Sequence, residues 1–333
     1  MTSQHTELID KAKQMEYKPF TADDVIRLAP MYTLRSNKSC DSAPLCQYLY
    51  NYYYRVKYCL FDDALLLMFC SDDGEIYGFL PYCTDNKIEY YFKLQETYFN
   101  EILHMPLVIT SADEEGVNLL NGTGALGNYE VTEIDESKDY LYDAESLRTL
   151  AGRKYSKKRN HINKFNQTYG DRWEYRTLKY DDRDEITSFL RLWMDKKEAL
   201  GEGEGVNENG DEFDPVLELE AEFNGIQDIL HNEKLFEHMR IGGIYIDGKL
   251  EAFSIGDYNP AEKVAIIDVE KANEDINGLY QIINQQFALH EYPDALIINR
   301  EDDVGIEGLR KSKLSYYPIG FELKYILSQK DFH

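Results

Sequence analysis

Hydrophobic and polar positions in the first third of the chain alternate between helical and strand-like spacing. An aromatic-rich stretch has the period of a helix, and three short apolar runs separated by turn residues have the pattern of a β-meander. Pro106 would end a second helix before one more strand. The predicted elements are a helix at 45–54, strands at 56–61, 64–70 and 76–81, a helix at 86–104 and a strand at 107–110.

The second half repeats this order at greater length. Asp247-Gly248, between two apolar runs, is a strong hairpin signal. The repeated order predicts an α/β (α+β) protein with domains at 1–144 and 145–333, each a mixed, mostly antiparallel sheet flanked by helices. The predicted elements are helices at 146–169, 185–200, 217–230 and 279–289, and strands at 173–178, 241–246, 250–256, 264–269 and 296–299.

Composition narrows the class of protein. The 333 residues carry a net charge of −25, which argues against a surface that coats nucleic acid or anionic membrane throughout. The five cysteines form no CxxC pair, the N-terminus is polar, and the longest apolar run, 64–70, is far too short to cross a bilayer. A soluble, cytoplasmic protein with reduced thiols is therefore expected.

One segment reverses the sign of the charge. Residues 146–170 contain seven Lys or Arg and no acid. On a helical wheel Tyr155, Ile162, Phe165 and Tyr169 form a buried stripe, opposite a face with Arg153, Lys157, His161 and Lys164. This face suits phosphate groups of a nucleic acid or a nucleotide cofactor. The alternative is a solvated basic helix docked on an acidic protein.

Two strand ends carry candidate chemistry. Glu270 ends a predicted strand and precedes a loop with Gly278 at a helix start, where a phosphate can bind; Glu270 is either a general base or a partner of Lys271 or Arg300. A second strand delivers polar side chains to its C-terminal end, where open α/β sheets place ligands. The alternative there is a surface turn. The polar side chains of this second segment are Asn299, Arg300, Glu301, Arg310 and Lys313.

Three apparent motifs are not interpreted as ligand sites. The GxGxxG at 122–127 follows a helical stretch, which is the wrong context for a dinucleotide site and fits a helix end and loop. The acidic, Gly-rich segment 201–215 lacks both end ligands of an EF-hand and is interpreted as a mobile loop or lid. The histidines form no metal-binding pair, so no metal is expected.

Two long stretches resemble a known family. GRKYSKKRNHINKF (Gly152–Phe165) and INREDDVGIEGLRKSKLSYYP (Ile298–Pro318), with EKANEDINGLYQIINQQF between them, resemble the bacterial phosphatidylglycerol lysyltransferase C-terminal-like family. That family is related to Fem-type aminoacyltransferases and to the acyl-CoA N-acyltransferase (GNAT) fold. The resemblance spans roughly residues 20–330 and implies tandem GNAT-like domains, with the site in the second.

The resemblance also implies an activity. An aminoacyl group would pass from aminoacyl-tRNA to an amine or hydroxyl of a small-molecule, peptide or lipid-headgroup acceptor. Glu270 or Glu301 would take the acceptor's proton, and Tyr316, five residues before the Phe of Gly320-Phe321, would protonate the leaving oxygen. Asn299, Arg300, Arg310 and Lys313 would bind the substrate. The donor's phosphates would be held by Lys154, Lys157, Lys158, Arg159, His161, Lys164, Gly278 and Tyr280.

Two other functions remain open. Acetyl-CoA is a less favoured donor, because Tyr280 stands where the CoA loop of GNAT enzymes has a small residue. A CoA-dependent N-acyltransferase is nevertheless one alternative, and a non-catalytic GNAT-like binding module is the other. The oligomeric state is not predicted.

Overall fold

The computed structural model describes residues 3–71, 74–199, 205–206, 212–213 and 215–332. The helices are α1 (Ser3–Ala12), α2 (Ala22–Tyr32), α3 (Pro44–Leu49), α4 (Asn51–Tyr54), α5 (Ile88–Thr97), α6 (Glu114–Thr123), α7 (Ala144–Thr149), α8 (Ser156–Tyr169), α9 (Arg183–Ala199), α10 (Pro215–His231), α11 (Glu233–His238), α12 (Leu279–His290) and α13 (Glu307–Leu314). A π-helical turn, Tyr98–Leu103, extends α5.

The strands are β1 (Lys18–Pro19), β2 (Lys57–Phe61), β3 (Ala64–Cys70), β4 (Ile76–Gly78), β5 (Val108–Asp113), β6 (Tyr129–Glu133), β7 (Asp139–Asp143), β8 (Trp173–Thr177), β9 (Gly205–Val206), β10 (Glu212–Phe213), β11 (Arg240–Ile246), β12 (Lys249–Asn259), β13 (Val264–Ala272), β14 (Ile297–Asn299), β15 (Gly320–Glu322) and β16 (Lys324–Gln329). They form two seven-stranded sheets and the short β9–β10 pair.

The chain divides into two compact units. The first unit is Met1–Lys138 with Glu322–His333, and the second unit is Asp139–Phe321. The first sheet has the strand order β1-β2-β3-β4-β5-β16-β6, in which β4 and β5 run parallel. Its apolar face packs against α1, α5 and α6, with Leu66, Phe92 and Leu327 fully buried.

The second sheet has the order β15-β7-β14-β13-β12-β11-β8, with β13 and β14 parallel. Helices α7, α8 and α12 cover one face, where Phe165 and Phe287 are buried. Helix α9 packs on the other face, and Phe189 there meets Phe253 edge-on at 5.9 Å between ring centres. The alternation of side chains along β12 gives both faces apolar residues, as expected for a sheet buried on both sides.

Most of the predicted helices and strands of both halves are present within one to three residues. The Asp247-Gly248 hairpin is confirmed: Ile246 pairs with Lys249, and both turn residues have positive φ, of 52° and 79°. Gly124 in the GxGxxG segment is the left-handed C-cap of α6, as expected of a helix end. Among the described residues, none of the helices has the length and apolarity needed to cross a membrane.

Three expectations need correction. The domain boundary at 144/145 differs from the structure, because β7 belongs to the second sheet and β16 returns to the first, between β5 and β6. The single helix at 146–169 is two helices, α7 and α8, because Leu150 and Gly152 both have positive φ. The segments α2 and β7 were not predicted as elements.

The acidic loop 201–215 lies mostly outside the described residues. Only the β9–β10 pair and the start of α10 fall within it. Its interpretation as a lid stays a prediction.

Candidate active site

The site begins where two strands of the second sheet part. The parallel ladder joins Val264–Ile266 of β13 to Ile297–Asn299 of β14 and ends there in the described chain. Strand β13 continues to Ala272 alongside β12, while the chain after β14 follows β7 through hydrogen bonds between Tyr140 and residues 300–301. The space between the diverging chains receives side chains from both.

An ion pair spans this space. Arg300 donates from Nη2 to Oε1 of Glu270 at 3.0 Å, and Asn284 on α12 donates from Nδ2 to Oε2 of the same carboxylate at 3.2 Å. The side chains of Arg300 and Glu270 are only 13% and 12% exposed. A charge pair so shielded from water is strongly coupled, and removing one partner would leave the other uncompensated.

Tyr316 lies against two cations. The Lys158 ammonium is 3.7 Å from the ring centre of Tyr316, and Cζ of Arg300 is 4.9 Å from the same ring. The Tyr155 hydroxyl donates to the backbone carbonyl of Tyr316 at 3.0 Å and fixes that segment on α8. The structure therefore brings together four residues from three distant parts of the chain: Lys158, Glu270, Arg300 and Tyr316.

Burial shifts the pKa values of Lys158 and Tyr316. Desolvation, reinforced by the Arg300 charge and opposed by Glu270, lowers the pKa of Lys158 to about 8. Burial raises the pKa of the Tyr316 phenol above its ordinary value. At neutral pH the phenol is therefore a proton donor, and Lys158 is a cation that gives up its proton more readily than a surface lysine.

Glu301 lies in a different environment. Its backbone is left-handed, with φ of 57°, and burial together with the nearby Asp268 raises the pKa of its carboxyl well above the ordinary value. Burial likewise raises the pKa of Asp268. Burial thus favours the protonated form of Glu301. Glu270, which pairs with Arg300, is the better placed of the two candidate bases.

The other predicted substrate residues hold the loop that carries Arg300. Lys313 donates from Nζ to the carbonyl oxygens of Arg300, at 2.5 Å, and of Asp302. Arg310 pairs with Asp303 through two hydrogen bonds of 3.0 Å, and Asn299 donates to Asp139 at 2.7 Å. These contacts place Asn299, Arg310 and Lys313 beneath the site, as supports for Arg300 and Glu301.

The basic helix divides into inward and outward residues. Tyr155, Ile162 and Phe165 are buried, as the wheel predicted, and Lys154, Lys157 and Lys164 are exposed. Arg159 is instead turned to the chain itself, donating to the carbonyls of Leu150 at 2.5 Å and Gly152 at 2.6 Å.

Helix α8 also packs on the loop before α12. A Cβ on Gly278 would lie 2.7 Å from the carbonyl oxygen of His161, and Nδ1 of His161 is 3.1 Å from Oδ1 of Asn277. Gly278 therefore allows two backbones to approach closely. Tyr280 is half-buried against the core, and burial raises its pKa to about 12. The approach of a phosphate to Gly278 is blocked on the side of α8.

Several buried polar atoms around the site have no hydrogen-bond partner among the described residues. Ser254 and Asn284 lie on otherwise apolar faces and were not predicted as site residues. For Asn284, the sequence offered one signal, a polar residue on the buried stripe of α12. Unpaired buried groups are rare and call for a ligand or an ordered water. The atoms are Ser254 Oγ, Asp268 Oδ1 and Oδ2, Asn284 Oδ1, Arg300 Nη1 and Glu301 Oε1.

Comparison with solved structures identifies the fold. A conserved protein of unknown function from Bacteroides thetaiotaomicron is 26% identical, with a TM-score of 0.81 over 95% of this chain and 100% of that one. L-PGS from Bacillus licheniformis is 12% identical with a TM-score of 0.61, covering 98% and 92% of the two chains. FemX is 9% identical with a TM-score of 0.56, covering 95% and 97%. The predicted tandem GNAT-like fold is confirmed.

Sequence relatives agree with this result. An uncharacterised protein of Mycoplasmoides gallisepticum is 26% identical over 201 residues, and the match covers 60% of this chain and 59% of that protein's length. The family model described as phosphatidylglycerol lysyltransferase, C-terminal, matches residues 34–328. Family and fold together support an acyltransferase-like function. The chain therefore belongs to the phosphatidylglycerol lysyltransferase C-terminal family.

Proposed function

We propose that the protein transfers an aminoacyl group from aminoacyl-tRNA to an amine or hydroxyl acceptor. The observation that carries this proposal is the position of Lys158. It lies one residue from the exposed Lys157, yet its ammonium reaches the Tyr316 ring at 3.7 Å, beside the Glu270–Arg300 pair. One helix thus presents cations both to the outside and to a shielded reaction centre.

The roles follow from the chemistry of each group. Glu270, the shielded carboxylate, takes the proton of the attacking amine or hydroxyl. Lys158 and Arg300 stabilise the oxyanion of the tetrahedral intermediate, because positive charge in a water-poor site acts at short range with little screening. Tyr316, protonated at neutral pH, donates its proton to the departing ribose oxygen.

The outward cations suit the donor's phosphates. Lys154, Lys157 and Lys164 are exposed on or just before α8, and a row of such cations tracks a phosphate backbone. Acetyl-CoA is less well supported as donor. The backbone of α8 lies against Gly278, so the loop that would receive a pyrophosphate is covered on that side.

The acceptor would bind among the unpaired groups. Arg300 Nη1 offers a donor, and Asn284 Oδ1 and Ser254 Oγ offer acceptors next to Glu270. Such a set can orient a polar acceptor, whether a small molecule, a peptide amine or a lipid headgroup.

The test is tRNA binding across a salt series, followed by a transfer assay with hydroxylamine as a small amine acceptor. K157E/K164E is compared with K13E/K93E, which changes the charge equally but in the first unit, just after α1 and on α5. Each lost phosphate contact should flatten the log K against log salt slope by about 0.7. Only K157E/K164E should do so.

Three outcomes decide between the candidate functions. Salt-dependent binding with transfer of the aminoacyl group to hydroxylamine supports the proposal. Binding without transfer indicates a binding module. Absence of tRNA binding together with a rise of the melting temperature in acetyl-CoA indicates a CoA-dependent N-acyltransferase, since a ligand that binds only the native state stabilises it.

A further inference from the structure

The first unit contains a cluster of two thiols, a carboxylate and a buried lysine. The Sγ atoms of Cys40 and Cys46 and one carboxylate oxygen of Asp41 lie within 4.8 Å of one another. Lys324 from β16 enters this group, with Nζ at 2.6 Å from Oδ2 of Asp41 and 3.3 Å from Sγ of Cys40. Lys324 is 1% exposed, so its charge acts on these neighbours with little screening by water.

The lysine makes Cys40 unlike the deeply buried cysteines elsewhere in the unit. An adjacent ammonium favours the thiolate, which is the form that reacts with oxidants. By contrast, burial raises the pKa of Cys59 and raises that of Cys83 to about 12, which keeps both as inert thiols. The sequence shows five similar cysteines, and in the described part of the chain the contact with Lys324 of β16 distinguishes Cys40.

A cavity borders this group on the side of Asp41 and Cys46. Its volume is about 120 Å³, and Asp41 and Cys46 form part of its wall. Phe69 and Phe79 line the same cavity, and their ring centres are 5.6 Å apart. Thr110 and Ser111 of β5 line it as well, and Ser111 has a left-handed backbone in the middle of that strand, with φ of 48°. The space admits a molecule as small as a hydroperoxide.

We propose that Cys40 and Cys46 are a redox-active pair that a hydroperoxide oxidises to an intramolecular disulfide. The Cys40 thiolate attacks the terminal oxygen of the hydroperoxide, so that an S–O bond forms and the O–O bond breaks. Cys40 becomes a sulfenic acid, and the other oxygen takes up the proton that Cys40 gave to water and leaves as an alcohol or, from hydrogen peroxide, as water. The Cys46 sulfur then attacks Cys40, the S–O bond breaks, and the hydroxyl leaves as water with the proton of Cys46. Two thiols are oxidised and one peroxide is reduced.

The geometry permits the second step with local motion. A disulfide needs the two sulfurs about 2.05 Å apart, and they start within 4.8 Å. The backbone of Asp41, between them in sequence, is fixed by hydrogen bonds to its carbonyl from Gln47 at 2.6 Å and Tyr82 at 3.1 Å. We expect side-chain rotation of the two cysteines to supply the approach.

The test treats the full chain with hydrogen peroxide, blocks remaining thiols with iodoacetamide and maps peptides by mass spectrometry. We expect Cys40 and Cys46 to lose two hydrogen atoms together and to regain them with dithiothreitol. In C46S, the first step should stop at a sulfenic acid on Cys40 that dimedone traps. K324M should slow oxidation roughly tenfold, whereas K324R, which keeps the cation, should stay near the wild-type rate.

C70S is the matched control, because Cys70 is more exposed but lies outside the group, and it should leave the reaction unchanged. Oxidation of Cys70 ahead of Cys40 would overturn the proposal, as would irreversible oxidation of Cys40 while Cys46 still reacts with iodoacetamide. If K324M fails to fold by circular dichroism, the dimedone result in C46S decides alone: no adduct on Cys40 refutes the pair.

Discussion

The ammonium of Lys158 lies 3.7 Å from the ring centre of Tyr316, although the two residues are separated by most of the second unit. Its neighbour on α8, Lys157, is exposed. In the proposed function, Lys158 acts at the reaction centre and Lys157 binds the polyanionic donor.

Single substitutions of these neighbouring lysines should affect the transfer rate and the tRNA affinity separately. K158M should lower the transfer rate at saturating tRNA by about 10²-fold, as for loss of one oxyanion stabiliser, with little change in tRNA affinity. K157M should weaken tRNA binding and flatten its salt dependence by about 0.7, while leaving the saturated rate near wild type. Single-turnover kinetics and a salt series measure the two effects. Equal loss of rate in both variants would contradict this assignment.

Removing the hydroxyl of Tyr316 should lower the transfer rate without unfolding the protein. Burial raises the pKa of this phenol, so it stays protonated through neutral pH and can act as the acid. Y316F should lose about 10²-fold in rate. The control is Y317F, at the exposed neighbour, which should change the rate less than twofold (about the scatter of such assays). An active Y316F would assign the proton to another donor.

Lys158 should make stability depend on pH above neutrality. Its pKa lies at about 8 in the folded chain, below the ordinary 10.5, so the unfolded chain binds more protons between these values. The free energy of unfolding should therefore rise with pH through this window, by at most about 3 kcal/mol relative to K158M. Urea unfolding of both proteins at several pH values measures the difference. A constant difference from pH 7.5 to 10.5 would show that Lys158 titrates normally.

The Glu270–Arg300 pair should behave as one energetic unit. E270A should destabilise the fold by about 3 kcal/mol because Arg300 is left shielded and unpaired, and R300M should do the same for Glu270. The double variant should cost clearly less than the sum, which denaturant unfolding can measure as a coupling energy. The control is the exposed pair of Glu307 and Lys311, whose removal should change the free energy of unfolding far less, because water screens the attraction between exposed charges. Additive losses at 270 and 300 would mean that the pair is not coupled.

Gly278 should tolerate alanine poorly because of two effects. Its φ of +91° disfavours any side chain, and the added Cβ would press on the carbonyl oxygen of His161 at 2.7 Å. G278A should cost about 2 kcal/mol or more in thermal unfolding. G248A is the matched control, with φ of +79° and open space around the Cβ, and should cost about 1 kcal/mol from backbone strain alone. Similar losses in both would mean that α8 yields easily at this contact.

Local sequence patterns predicted the helices and strands of both units well, because each pattern depends on residues that are close together in the chain. The apolar stripe of α8 was visible on a helical wheel, and the Asp247-Gly248 turn was visible as a residue pair with a known backbone preference. The break between α7 and α8 was not visible in the sequence. It depends on the left-handed backbone of Leu150, whose carbonyl accepts a hydrogen bond from Arg159 in the folded chain.

The sequence did not predict which strands pair with one another. Strand β16 follows β15 closely in the chain yet pairs with β5 and β6 of the first sheet, and β7 pairs with β14. A strand's own alternation shows which face is buried and does not name its neighbour. The predicted boundary was therefore displaced.

The sequence by itself determined the α/β class, the family, the basic segment and the polar ends of two strands, since these depend on residues close together in the chain. Only the tertiary structure decided that Lys158 turns inward while Lys157 does not, that Lys313 supports the Arg300 backbone, and that Lys324 reaches Cys40. The contacts of Lys158 and Lys324 join residues far apart in sequence. Burial then alters their charge, and burial is a property of the packed fold rather than of the residue.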